Sequence, residues 1–179
     1  MARGITQQKQ STNPLVVFDF DDTLVRSDGL IRVVHHDGAE SVMTTSKFAR
    51  YVQKSGDVFD YSMLAGENTI VEVLPHFSVM LDAIAMFGPR AVFVLTARHN
   101  PHGPRRMLTS LNVPRCVRVI ATGSTDPQSK VSWIRTKVAR DGHDHIEFFD
   151  DNRMNVSAVE DLAAEFPDVR LSTQWVNDA

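Results

Sequence analysis

Residues 16–24 read VVFDFDDTL, an apolar run that passes directly into aspartates at positions 19, 21 and 22. Positions 15–18 are all apolar, which marks a strand buried in the core. Burying like charges together is costly. A carboxylate cluster at the end of a core strand is tolerable where a cation neutralises it, and carboxylate oxygens suit a hard ion such as Mg2+.

Strand-like runs recur at 15–20, 91–95, 117–121, 146–149 and, weakly, 169–172. Helical patterns separate them at 73 or 76 to 87, 104–111, 129–140 and 152–166. Strands alternating with helices call for a parallel sheet covered on both faces. In such sheets functional groups gather at the carboxyl ends of the strands, which is where Asp19, Thr96 and Asp150 fall. Residues 25–74 break the alternation. Runs at 31–34 and 39–43 flank HHDG, a hairpin turn with Asp37 and Gly38 at its tip. Thr44 or Thr45 then caps a short helix over 46–54, closed by Gly56.

Four motifs in order, Asp19-x-Asp21-x-Thr23-Leu24, AVFVLTAR ending near Thr96, Lys130, and IEFFDDNRMN around Asp150 and Asp151, resemble those of the haloacid dehalogenase superfamily. The resemblance implies a three-layer α/β sandwich with a Rossmann-like parallel sheet. Its strand order would be third, second, first, fourth, fifth, with residues 25–74 a small cap inserted after the first strand. It also implies a phosphoric monoester hydrolase in which Asp19 is the nucleophile that forms an aspartyl-phosphate. Asp21 would protonate the leaving group and then activate water.

By the same resemblance Thr96 donates a hydrogen bond to a phosphoryl oxygen, although a threonine at a strand end is ordinarily a turn or cap residue. Thr23 and Arg98 are its substrate-binding candidates, and an arginine could hold a phosphate bidentately. Lys130, near the start of the 129–140 helix, would offset the charge of Asp19 and of the phosphoryl group. Its competitor Lys137 lies nearly two turns on, where a solvated lysine is the ordinary explanation. Mg2+ would be held by Asp19, the main-chain carbonyl of Asp21, Asp150 and Asp151. Either of the last two could be the direct ligand. Asn155 stands where many relatives carry another acid, and reads as a helix-surface residue.

The chain of 179 residues has a net charge of −3, 42% apolar and 23% charged content, as in a globular protein. Residues 1–13 read as a flexible polar tail ahead of a single domain over 14–179. No apolar run of about 18 residues exists to span a membrane. One cysteine, Cys116, excludes an internal disulfide, makes cytoplasmic residence the default, and reads as a small core residue. The pairs His35 and His36, His99 and His102, and His143 and His145 lack the supporting ligands of a zinc site.

Between Asp82 and Asp126 there is no acidic residue, while six arginines fall there, at 90, 98, 105, 106, 115 and 118. Arg105, Arg106 and Arg115 form either a solvated basic face or a positive rim for an anionic substrate. A small cap leaves an open cleft suited to large substrates. The motif order, ending in the late STQWV, also resembles the phosphatase half of phage-type polynucleotide kinase-phosphatases. The expected partner is a phosphorylated substrate, a nucleotide or nucleic-acid end. A small-metabolite or phosphoprotein phosphatase, or a binding module with vestigial catalysis, is the alternative.

Overall fold

The computed structural model describes residues 12–64, 66 and 68–177. Most of the expected 1–13 tail, residues 1–11, lies outside the described residues, as do 178 and 179 at the end of the expected domain. In chain order the elements are β1 (Pro14–Phe18), β2 (Val25–Ser27), β3 (Leu30–Val34), β4 (Glu40–Thr44), α1 (Thr45–Ala49) and β5 (Val58–Asp60). A 3-10 turn at Ser62–Leu64 leads to β6 (Ile70–Val73), α2 (His76–Phe87), β7 (Val92–Thr96), α3 (His102–Ser110) and β8 (Arg118–Ala121). The chain continues through α4 (Pro127–Asp141), β9 (His145–Asp150), α5 (Arg153–Glu160), α6 (Leu162–Glu165) and β10 (Arg170–Trp175).

Five strands form one parallel sheet in the order β8-β7-β1-β9-β10. The centre falls to β1 because Leu15, Val16, Val17 and Phe18 have no exposed surface. Side chains alternate across a strand, so Val16 and Phe18 join Val92 and Val94 under Met80 of α2 and Met107 and Leu108 of α3. On the opposite face Leu15 and Val17 join Phe93 and Leu95 under Ile134 of α4 and Val159 of α5. Each such fully buried side chain contributes about 1.5–3 kcal/mol. A polar substitution at 15–18 would break one of the two cores. Among the described residues no helix is long and apolar enough to cross a membrane.

Residues 25–74 hold two smaller sheets. β2 pairs with β6, and β3 lies between β4 and β5, all antiparallel. The expected hairpin is β3–β4, with Gly38 at φ 84° in its turn, a conformation costly for other residues. Thr44 caps α1, its Oγ1 accepting from the Lys47 amide at 3.3 Å, but the helix ends at Arg50 instead of continuing to 54.

Two other expectations are corrected. The 152–166 helix is divided at Asp161, which closes α5 and opens α6 and lets Leu162 turn into the core. The third core strand starts at Arg118, because a turn bonding the Val117 amide to the Pro114 carbonyl occupies the preceding residues. Cys116 sits on that turn and is exposed, not a core residue.

Candidate active site

Strand register determines what meets at the carboxyl edge of the sheet. Phe18 pairs with Val94 on one side and Phe149 on the other. The next residue, Asp19, is therefore level with Leu95 and Asp150, and its amide donates to the Phe149 carbonyl at 2.8 Å. Beyond it the chain reverses, with the Leu24 amide donating back to the Phe20 carbonyl at 3.0 Å and Asp22 at φ 61°, a left-handed conformation that aspartate tolerates better than most residues. Asp19, Asp21, Thr96, Lys130, Asp150 and Asp151 all line one cavity of 510 Å3.

Lys130 occupies the first turn of α4, whose start is fixed by Asp126 accepting from the Gln128 amide at 3.0 Å. Its ammonium is buried between Asp19 Oδ1 at 2.5 Å and Asp150 Oδ2 at 2.7 Å. Burial opposes this charge, but Asp150 and Asp19 outweigh it and hold the lysine above its ordinary pKa. For Asp19, burial pushes the carboxyl well up; Lys130 pulls it down while Asp150 and Asp151 raise it further. Asp150 is fully buried, and Asn155 Nδ2 reaches its two oxygens at 3.0 and 3.1 Å. The Asn152 amide adds a third donor at 2.9 Å. Asn155 is thus a buried partner of Asp150, not a helix-surface residue. The competitor Lys137 is also buried rather than solvated, paired with Asp141 and lying 4.9 Å from the Phe93 ring centroid, away from the cavity.

Arg98 departs from its expected role. Its Nε and Nη2 grip Asp21 at 2.8 and 2.7 Å in a bidentate pair, and Nη2 also donates to Ser27 Oγ at 3.0 Å. Nη1 donates to the Leu64 carbonyl and to Asn68 Oδ1, both at 3.2 Å. With 4% of its surface exposed, this guanidinium already uses its fork on Asp21 and on the 25–74 segment. In this structure the fork is occupied by Asp21 and is not presented to the cavity for a phosphate. The Arg98 amide in turn donates to Thr96 Oγ1 at 3.2 Å, so Thr96 both lines the cavity and shapes the loop after β7.

Asp151 is held through its main chain. Its amide donates to Thr23 Oγ1 at 3.1 Å and its carbonyl accepts from Trp175 Nε1 at 2.8 Å. Thr23 is fully buried and joins the first and fourth motifs. Burial, with the nearby charges of Asp150 and Asp22, raises the Asp151 carboxyl to about 8. Trp175, from the late STQWV, carries Arg153 over its ring at 3.9 Å. Asn155, Trp175, Ser27 and Asn68 are contributors that sequence reasoning did not assign. Only the position of Trp175 next to a strand end carried a signal.

The donor set fits a hard divalent cation in chemistry and charge. Asp19 and Asp150 share one buried ammonium, with Asp151 beside them, and the burial and repulsion that raise Asp19 and Asp151 are what a dication would relieve. In this conformation no three acidic or histidine side chains among the described residues converge on one point. Asp150 accepts from Lys130, Asn155 and Asn152, and Asp19 accepts from Lys130 through Oδ1.

The expected basic rim is not at the cavity. None of Arg105, Arg106 and Arg115 lines it. Arg105 folds back to the Val117 carbonyl, and Arg115 precedes β8, at the amino end of the sheet. The cavity is not an open cleft bounded by the sheet alone, because side chains of residues 25–74 form one of its walls. Comparison with protein-family models, curated proteins and solved structures gives no match.

Proposed function

We propose that this protein is a Mg2+-dependent phosphomonoester hydrolase that works through an aspartyl-phosphate on Asp19, with a layout like that of the haloacid dehalogenase superfamily. The observation that carries the reading is the buried Lys130 ammonium between Asp19 and Asp150, delivered from three separate elements to one sheet edge. The strand order agrees with the order that the resemblance implies. Residues 25–74 act as a small cap. The substrate proposed is a nucleotide or a nucleic-acid end.

In the first step a carboxylate oxygen of Asp19 bonds to phosphorus as the bond to the leaving alcohol breaks, and Asp21 supplies the proton that the alkoxide takes. In the second, water bonds to phosphorus, Asp21 takes its proton, and the phosphorus bond to Asp19 breaks. Lys130 holds the Asp19 carboxylate in place and offsets the charge that gathers as phosphorus is attacked. Arg98 holds both oxygens of Asp21, and proton transfer from Asp21 proceeds once one of these bonds opens. A bound cation would neutralise the phosphoryl oxygens, and Asp19, the Asp21 main-chain carbonyl, Asp150 and Asp151 are the residues that would hold it.

Phosphate release from a generic aryl phosphate is the test, with Mg2+ and with excess chelator, for the parent and Asp19→Asn. Turnover that needs Mg2+ and disappears in the variant supports the reading. Full activity in chelator, or near-normal activity of Asp19→Asn, ends it.

A further inference from the structure

We propose that residues 25–74 build a leaving-group subsite for one flat aromatic ring system, so that the substrate is a nucleoside monophosphate and not the phosphorylated end of a nucleic-acid chain. This rests on the phosphatase reading and adds to it the identity of the alcohol. Phe48, Tyr51, Phe59 and Tyr61 all line the cavity. Phe48 meets Phe59 and Tyr61 edge-on at 5.0 and 5.8 Å between centroids, and Tyr51 meets Phe59 edge-on at 6.3 Å. All four rings are only half-buried, while Ile31 and Leu64 beneath them are buried. The aromatic cluster thus remains open towards the cavity, and an aromatic guest has both ring faces and edges to meet.

Its position relative to the chemistry identifies which part of the substrate it would face. Tyr61 and Leu64 border a small recess together with Arg98. Arg98 connects the Leu64 carbonyl to the Asp21 carboxylate. The aromatic wall therefore stands beside the acid that serves the leaving alcohol, whereas the Trp175 and Arg153 wall stands beside Asp151. A phosphoryl group at Asp19 directs its alcohol towards Tyr61.

Size and charge favour a single nucleotide. A cavity of 510 Å3 lies within the range of small-ligand sites. Five cationic side chains, Arg26, Arg50, Arg98, Lys130 and Arg153, and five aspartates line it, so basic residues are not in excess there. A site that tracks a polynucleotide needs an excess of positive charge along its length, and the arginines that could provide one lie elsewhere.

The test compares adenosine 5′-monophosphate and 3′-monophosphate, ribose 5-phosphate and a 3′- or 5′-phosphorylated oligonucleotide, by kcat/KM and by equilibrium dialysis. The parent and the variants Phe48→Leu and Phe59→Leu are used, each checked for native thermal unfolding. Leucine keeps the apolar contact and removes the flat ring. A mononucleotide should be the best substrate, and each folded variant should lose roughly tenfold on it, the scale of one aromatic contact, and less than about threefold on ribose 5-phosphate. Two variants guard against one that fails to fold. If no phosphate is released but adenosine 5′-monophosphate binds and the variants weaken it, the subsite stands and the phosphatase reading falls. If turnover is equal on all substrates and unchanged in the variants, or fastest on the oligonucleotide, the subsite is overturned while the phosphatase reading stands.

Discussion

Asp19 and Asp21 are two residues apart, yet they are held by different parts of the molecule. Asp19 leans on Lys130, which comes from the α/β sandwich, shares its ammonium with Asp150 and, among the described residues, has no bond to the 25–74 segment. Asp21 leans on Arg98, whose remaining donors hold Ser27, Leu64 and Asn68, all in the 25–74 segment. The group proposed as nucleophile is fixed by the sheet, and the group proposed as acid is fixed only when that segment is in place. The division predicts that damage on the Lys130 side harms the first step on every substrate, while damage on the Arg98 side harms that step only where the leaving group needs a proton.

The largest effect is expected from Asp19→Asn, with kcat reduced by about 10^4-fold or more, as when a covalent nucleophile is removed, read with any phosphomonoester. Lys130→Met should follow, at roughly 10^2 to 10^3-fold for one electrostatic contact to the reacting group, equal for aryl and alkyl phosphates. Arg98→Ala should cost an alkyl phosphate roughly 10^2-fold in the first step and spare that step, read in a single turnover, for an aryl phosphate, whose phenoxide leaves without help, while phosphoenzyme hydrolysis slows for both; Arg98→Lys should only partly restore the rate, since a lysine cannot make the bidentate pair. Equal first-step losses on both esters would merge the two networks into one. The smallest effect concerns stability without metal. The native Asp151 carboxyl titrates at about 8 and the unfolded one at about 4. Between those values the native state holds a proton that the unfolded state has released, so stability falls as pH rises through the window and levels above it. Thermal unfolding in chelator should show this slope, and Asp151→Asn should flatten it in part, because Asp19 is shifted in the same direction.

The sandwich was legible because β1 announces itself: apolar residues on both faces admit only a central, doubly covered strand, and the aspartates that end it admit only an edge with a countercharge. Lys130 was legible as that countercharge from its place at a helix start. Arg98 was not, because whether a guanidinium faces a ligand or a carboxylate is determined by tertiary partners, here Asp21, Ser27 and Asn68, far apart in sequence. Asn155 was misread for the same reason. Its helical position alone does not say that α5 turns that face towards Asp150. The strands β2, β5 and β6 are too short for an alternating pattern to stand out. The arginines at 105, 106 and 115 form a cluster in sequence that the fold places away from the cavity.

The claim that Asp19 and Asp21 divide the labour is tested most directly by Asp21→Asn given an aryl phosphate and Mg2+, followed by mass-spectrometric peptide mapping. An aryl ester needs no acid to leave, so the first step should proceed, and without a base for water the second should stall. The account predicts a phosphoryl group accumulating on the peptide that contains Asp19, and none in the variant that also carries Asp19→Asn. Continued turnover of Asp21→Asn with no phosphorylated peptide, or a phosphoryl group on another residue, would contradict it.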